Sequence, residues 1–199
     1  MISVATVFYK PREEDGVPKF ARCYTWEWVE KLYRGVARNY SHPFNFSVFT
    51  DTFYLTTLPI NQYKLRRTKW DQALKQLYGF KAERLALFGL DTIITGSLDE
   101  LFSYNGDLLV PRDPYNPSEP CNAVVLCPTR RDIEYATGTD MSVLKKFPHD
   151  FMDDLYPKQV VSYKCHVQAN GVGDARIVYF HGEPKPHNLD LSWVKEHWR

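Results

Sequence analysis

The chain has 199 residues, 44% of them apolar, which is enough to build the core of one domain and too much for a disordered segment. Its 25 basic and 24 acidic side chains leave a formal net charge of +1. That balance argues against a protein made to grip nucleic-acid backbones, while leaving room for a local basic pocket.

The amino end runs straight into apolar residues with no basic leader, and no stretch reaches the length needed to span a bilayer, so a cytoplasmic protein is expected. Residues 2–9, ISVATVFY, are β-branched and apolar and predict a first strand, followed by a polar loop over 10–19. Residues 26–40 then carry Trp26, Val29, Leu32, Tyr33, Val36 and Ala37 at helical spacing. Short strands are predicted over 46–49, ending at Asp51, and over 59–65. Arg66, Arg67 and Lys69 read as a solvated basic face, and 70–78 as a short helix. A long buried strand is expected over 85–95. A helical turn over 97–102 should use Ser97 as N-cap and Glu100 at the capping-box position. Strands over 108–111 and 121–127 flank the Pro-rich loop 113–120. A helix is expected over 139–146, a last strand over 176–180 and a closing amphipathic helix at WVKEHW. Cys23, Cys121, Cys127 and Cys165 lack paired zinc spacing and read as reduced thiols.

The order strand, helix, strand begins a parallel βαβ layout, so the fold expected is α/β with a mostly parallel sheet flanked by helices. Ligands of such sheets sit at the carboxyl ends of the strands, where Tyr9, Asp51, Asp91, Thr92 and His181 fall. Asp91 stands out. It lies in the apolar run LALFGLDTII, where a bare carboxylate costs several kcal/mol. It is therefore either capped by the backbone or poised at a strand end to hold a metal.

Two segments, FGLDTIITGSLDELF and ARIVYFHGEPKPH, together with FSVFTD after the first helix and SYKCH before the last strand, resemble the GT-A fold glycosyltransferases. The likeness is to the glycogenin and bacterial lipopolysaccharide sugar-transferase group, the family 8-like nucleotide-diphospho-sugar transferases. It spans nearly the whole chain in order. It implies a single GT-A, Rossmann-like domain over 1–199, with a nucleotide-binding part in about 1–100 and a sugar and acceptor part in about 101–199. The implied activity is transfer of a sugar from a UDP-sugar, assisted by Mn²⁺ or Mg²⁺, to a carbohydrate, lipid or protein acceptor. A partner, a homo-oligomer or a membrane-associated acceptor would complete so compact a site.

The resemblance also implies roles. Asp91 and His181 would hold the metal, and Lys185 would meet the diphosphate as a point charge. Gly182 would let the backbone approach the phosphates. Thr6, Val7, Phe8 and Tyr9 would cradle base and ribose, with Asp51 accepting a hydrogen bond from one of them. Asn122 would border the transferred sugar, and Asp140 would contact sugar or acceptor. Two departures stand out. Gly89 occupies the place of the first Asp of the family's DxD motif, and Tyr179 the place where the family often has its metal histidine. Gly89 motivates a second reading, a nucleotide-sugar-binding protein that has lost transfer. A nucleotidyltransferase would need a Gly-rich loop after the first strand, where Tyr9-Lys10-Pro11-Arg12 stands instead.

Overall fold

The mostly apolar, β-branched sequence ISVATVF forms β1 (Ile2–Phe8), an interior strand of a seven-stranded sheet. The computed structural model describes every residue except Pro11 and Arg67, so one residue of the predicted 10–19 loop and one of the basic cluster lie outside the described residues. From β1 the chain crosses through α1 (Trp26–Asn39) to β2 (Phe44–Thr50) and on to β3 (Ile60–Lys64), both parallel to their neighbours. The next strand, β4 (Arg84–Phe88), lies parallel on the other side of β1. Then follow β5 (Thr92–Ile94), α2 (Asp99–Phe102), β6 (Leu109–Val110), β7 (Val124–Pro128), α3 (Arg131–Glu134), α4 (Asp140–Leu144), β8 (Asp150–Phe151), α5 (Met152–Leu155) and β9 (Val160–Ser162). A π-turn (Tyr163–Val167) runs into α6 (Gln168–Asn170), and β10 (Ile177–Tyr179) and α7 (Ser192–His197) close the chain. The main sheet has the order β3-β2-β1-β4-β7-β6-β8, with β7 antiparallel to both β4 and β6.

Burial on both faces explains the unbroken apolar run of β4. Ala86 and Phe88 pack with Trp28, Val29, Leu32 and Val36 of α1, while Leu85 and Leu87 face Leu77, Val125, Cys127 and Ile133. All four β4 residues are fully buried; a Leu or Phe so covered contributes about 1.5–3 kcal/mol.

The expected strand over 85–95 is two strands in two sheets. β4 ends at Phe88, the chain bends through Gly89-Leu90-Asp91, and β5 joins a separate sheet of order β5-β10-β9. Hydropathy misses the break because β5 is as buried as β4. Gly35 of α1 fits this sheet closely, since a β-carbon there would lie 3.3 Å from Ile94 Cγ1. The 70–78 segment is two 3₁₀ turns, Trp70–Gln72 and Leu74–Leu77, rather than one helix. Ser97 Oγ accepts from Asp99 N at 3.2 Å, but Glu100 turns to Arg176 at 2.9 Å, so no capping box forms and α2 starts two residues later than expected. The four cysteines are free thiols.

Candidate functional site

Three strand ends meet at one edge of the main sheet. β1 and β4 run parallel and finish there, and antiparallel β7 begins there, with Phe88 opposite Val124. The antiparallel entry of β7 thus places Cys121-Asn122-Ala123 beside the β4 exit, and Gly89 N donates to Ala123 O at 3.0 Å. The second sheet delivers the carboxyl-terminal segment. Tyr179 pairs with Thr92, and Phe180 N donates to the Asp91 carbonyl at 3.2 Å, so the HGEPKP residues follow directly beside Asp91.

These ends enclose a cavity of about 420 Å³. Its walls take Thr6, Val7, Phe8 and Tyr9 from β1 and its exit, Gly89 and Asp91 from the bend, and Asn122 ahead of β7. Asp140 from α4 and His181, Gly182 and Lys185 from the closing segment complete the set of expected residues found there. Asp51 is the exception. It is exposed at the end of β2, where its Oδ1 accepts from Lys10 N at 3.3 Å, and it is not part of the cavity wall.

Asp91 is partnered by side chains. Its Oδ2 accepts from the Tyr24 hydroxyl at 2.8 Å and forms an ion pair with the Lys185 ammonium. The pair is buried, with Lys185 2% and Asp91 8% exposed. Lys185 also lies 5.0 Å from the Phe20 ring centroid and 5.6 Å from that of Tyr24, two aromatic faces that favour a cation. Its backbone is fixed by Asn188, whose Oδ1 accepts from Lys185 N at 3.0 Å. Burial, then the Asp91 charge, pushes the Tyr24 phenol far above its ordinary value, so it stays a donor. Thr6 turns its hydroxyl to the Phe88 carbonyl at 2.8 Å, joining β1 to the bend that carries Asp91.

His181 is half-buried and its Nε2 lies 2.7 Å from Ser162 Oγ, with Tyr115 edge-on at 5.0 Å. Burial, followed by the Lys164 ammonium, lowers its pKa and keeps the ring neutral at neutral pH. Gly182 adopts a positive φ of 63°, which suits glycine. Among the described residues no group of three His, Cys, Asp or Glu side chains is placed to hold a metal ion. The expected pair, Asp91 and His181, does not fit Mn²⁺ or Mg²⁺. Asp91 Oδ2 is taken by an ammonium and a phenol, His181 Nε2 faces a hydroxyl, and Gly89 adds no side-chain oxygen, so the pair falls short of the oxygen-rich set a hard divalent ion needs.

Asp140 lines the cavity, but its carboxylate faces the protein. Oδ1 accepts from Lys75 N at 3.0 Å and Oδ2 from Leu74 N at 3.2 Å, while Lys75 Nζ donates to Ala136 O at 2.9 Å and to Gly138 O. Asp140 thus anchors the second 3₁₀ turn to the start of α4. Burial pushes its pKa up to about 7. The folded protein therefore holds a proton that an unfolded chain, with an aspartate near 3.9, releases. This group's contribution is greatest below about pH 4, falls as the pH rises through about 7, and is constant above. Asp140→Asn removes the dependence. Between about pH 4 and 8 the stability lead of the wild type should shrink by up to about 4 kcal/mol, each tenfold in proton affinity being worth about 1.4 kcal/mol. Urea denaturation across that range checks it, and a constant lead contradicts it.

Nothing in the sequence singles out Tyr24 or Phe20, while Ser162 opens the SYKCH segment without its contact to His181 being expected. Tyr24 directly precedes Thr25, the N-cap of α1, and nothing in its spacing marks a carboxylate partner 67 residues away.

No protein-family profile matches the chain, and no curated protein sequence matches it. Solved structures do. The galactosyltransferase LgtC in complex with donor and acceptor sugar analogs is similar over 98% of this chain and 93% of its own, with a TM-score of 0.68 at 10% identity. The glycosyltransferase GlyE of Streptococcus pneumoniae is similar over 98% of this chain and 62% of its own, with a TM-score of 0.62 at 14% identity. The bifunctional glycosyltransferase WbbM matches over 98% of this chain and 50% of its own, with a TM-score of 0.63 at 8% identity. At such identities the likeness is one of fold, and the fold is the GT-A type shared by these three proteins.

Proposed function

We propose that this chain transfers a sugar from a nucleotide-diphosphate sugar, a UDP-sugar in the first instance, to an acceptor hydroxyl. The observation that carries the reading is the convergence of β1, the Gly89–Asp91 bend, Asn122 and the HGEPKP segment on one cavity of about 420 Å³ at the strand ends. The GT-A fold raises the prior for this chemistry, and LgtC, bound to donor and acceptor sugar analogs, is a transferase of that fold. In the reaction, the bond between the anomeric carbon and the β-phosphate oxygen breaks and its electron pair stays on the diphosphate. The acceptor oxygen bonds to the anomeric carbon, and the hydroxyl proton ends on the released diphosphate. Lys185 would stabilise the charge that grows on that leaving group, and its fixed position makes this electrostatic catalysis rather than proton transfer. Thr6–Tyr9 would seat the nucleoside and Asn122 the sugar. Asp140 would act by holding the cavity wall. The chain has no helix long and apolar enough to cross a membrane among its described residues.

A second reading, a binding protein without transfer, is favoured by Gly89 and by the Asp91–Lys185 pair, which departs from a metal-holding carboxylate set. One assay separates the two. The chain is incubated with UDP-, GDP- and ADP-sugars, and released nucleoside diphosphate is measured beside calorimetric binding. Transfer predicts release from at least one donor. Binding without release selects the second reading, and neither binding nor release contradicts both.

A further inference from the structure

Beside the carboxylate expected to hold a divalent cation, the chain places an ammonium group of its own. Lys185 Nζ lies in the cavity wall, buried against Asp91, Phe20 and Tyr24. An ammonium has three donors, and Asp91 takes one. A second lysine acts on the same histidine, since the charges of Lys164 and Lys185 both reach His181. Lys164, in the π-turn after β9, brings its Nζ to 4.0 Å from where a β-carbon on Gly182 would lie. Gly182 lines the cavity with its backbone in the left-handed region and carries no side chain of its own between Lys164 and the cavity wall.

Among the described residues three carboxylates line the cavity: Asp71 is exposed, Asp140 accepts from the Leu74 and Lys75 backbone, and Asp91 is buried. Asp91 is paired with Lys185, and Asp113, the other carboxylate whose charge reaches His181, accepts from the backbone of its own turn at Tyr115 and Asn116. A nucleoside diphosphate carries two to three negative charges; with the Asp91–Lys185 pair neutral as a whole, Lys164 brings the net positive charge and Lys185 its remaining donors. The carboxylate side of the site meanwhile lacks the oxygens a divalent ion needs.

We infer that Lys185 and Lys164 together fill the role of a divalent cation, so that the site takes a nucleoside diphosphate without a metal. Lys185 is the anchored charge, held in place before the ligand arrives, and Lys164 is the exposed charge that closes over the phosphates from the Gly182 side. This deepens the donor-binding reading above and rests on it.

The test is calorimetric titration of the whole chain with UDP, GDP and ADP and with the matching nucleosides, once in EDTA and once in Mn²⁺. The expected result is diphosphate binding that agrees within about threefold between the two buffers. Lys164→Met, at an exposed position that leaves the fold intact, should weaken the diphosphate about tenfold and leave the nucleoside unchanged, the size of one charge-assisted hydrogen bond. Lys164→Arg should restore most of the loss. Lys185→Met should weaken the diphosphate further, with circular dichroism reporting whether it folds. Binding that appears only with Mn²⁺, or a Lys164→Met chain that binds as the wild type does, overturns the inference and leaves the donor-binding reading standing. No binding of any nucleoside diphosphate in either buffer overturns both.

Discussion

Replacing Asp91 by alanine should cost about 3–5 kcal/mol of stability, the loss expected when one partner of a buried ion pair is removed and the other stays behind. Lys185 is 2% exposed, and its ammonium would then sit among Phe20, Tyr24 and the cavity wall with no counter-charge. The Tyr24 hydroxyl would lose its acceptor in the same step. For a domain of this size the melting temperature should fall by about 6–20 °C. The double variant Asp91→Ala/Lys185→Met distinguishes this cause from simple loss of packing. Removing the stranded charge should return a large part of the stability, since a buried pair exchanged for apolar groups is often neutral. Thermal or urea unfolding of the two variants checks the claim. A double variant less stable than Asp91→Ala would contradict it.

Gly89→Asp should turn the site into one that binds Mn²⁺. A β-carbon at position 89 would lie 3.1 Å from Asp91 Oδ1 and 3.8 Å from Thr92 Oγ1, so a carboxylate built there projects onto Asp91. The local charge of the Asp91–Lys185 pair moves from zero to −1, and two carboxylates in one place either share a proton or recruit a cation. Affinity should rise from none measurable to the order of 10⁻⁴ to 10⁻³ M, the range of the weakest carboxylate-built Ca²⁺ sites. Gly89→Ala is the control, because it adds the tight β-carbon without the charge. Titration with Mn²⁺ followed by electron paramagnetic resonance reads the free ion directly. A Gly89→Asp chain that binds no more Mn²⁺ than Gly89→Ala would show that position 89 does not face the Asp91 carboxylate.

The elements that sequence reveals well are those with a sustained period or a sustained run. α1 shows Trp28, Val29, Leu32 and Val36 to the core, and its helical spacing is plain; β1 and β4 are mostly apolar, with no alternation, because both faces are covered. The break after Phe88 is invisible to the same logic, since burial continues while the hydrogen-bonding partner changes from β1 and β7 to β10. Strands of two or three residues, such as β8 and β9, are too short for any period to register. The candidate site was legible in outline. Ten of the residues expected there line one cavity, because the motifs sit at strand ends and parallel strands end together. What sequence could not give was which charges meet. Asp91 and Lys185 are 94 residues apart, and their pairing is set by the register of β5 on β10 and by the Asn188 bond that fixes the Lys185 backbone.

The most direct measurement is a crystal structure of the chain with UDP in the presence of EDTA. The nucleoside should lie between Thr6–Tyr9 and the Gly89–Asp91 bend, with phosphate oxygens within about 3 Å of Lys185 Nζ and Lys164 Nζ. A nucleotide bound outside this cavity, or phosphates placed away from both lysines, would contradict it.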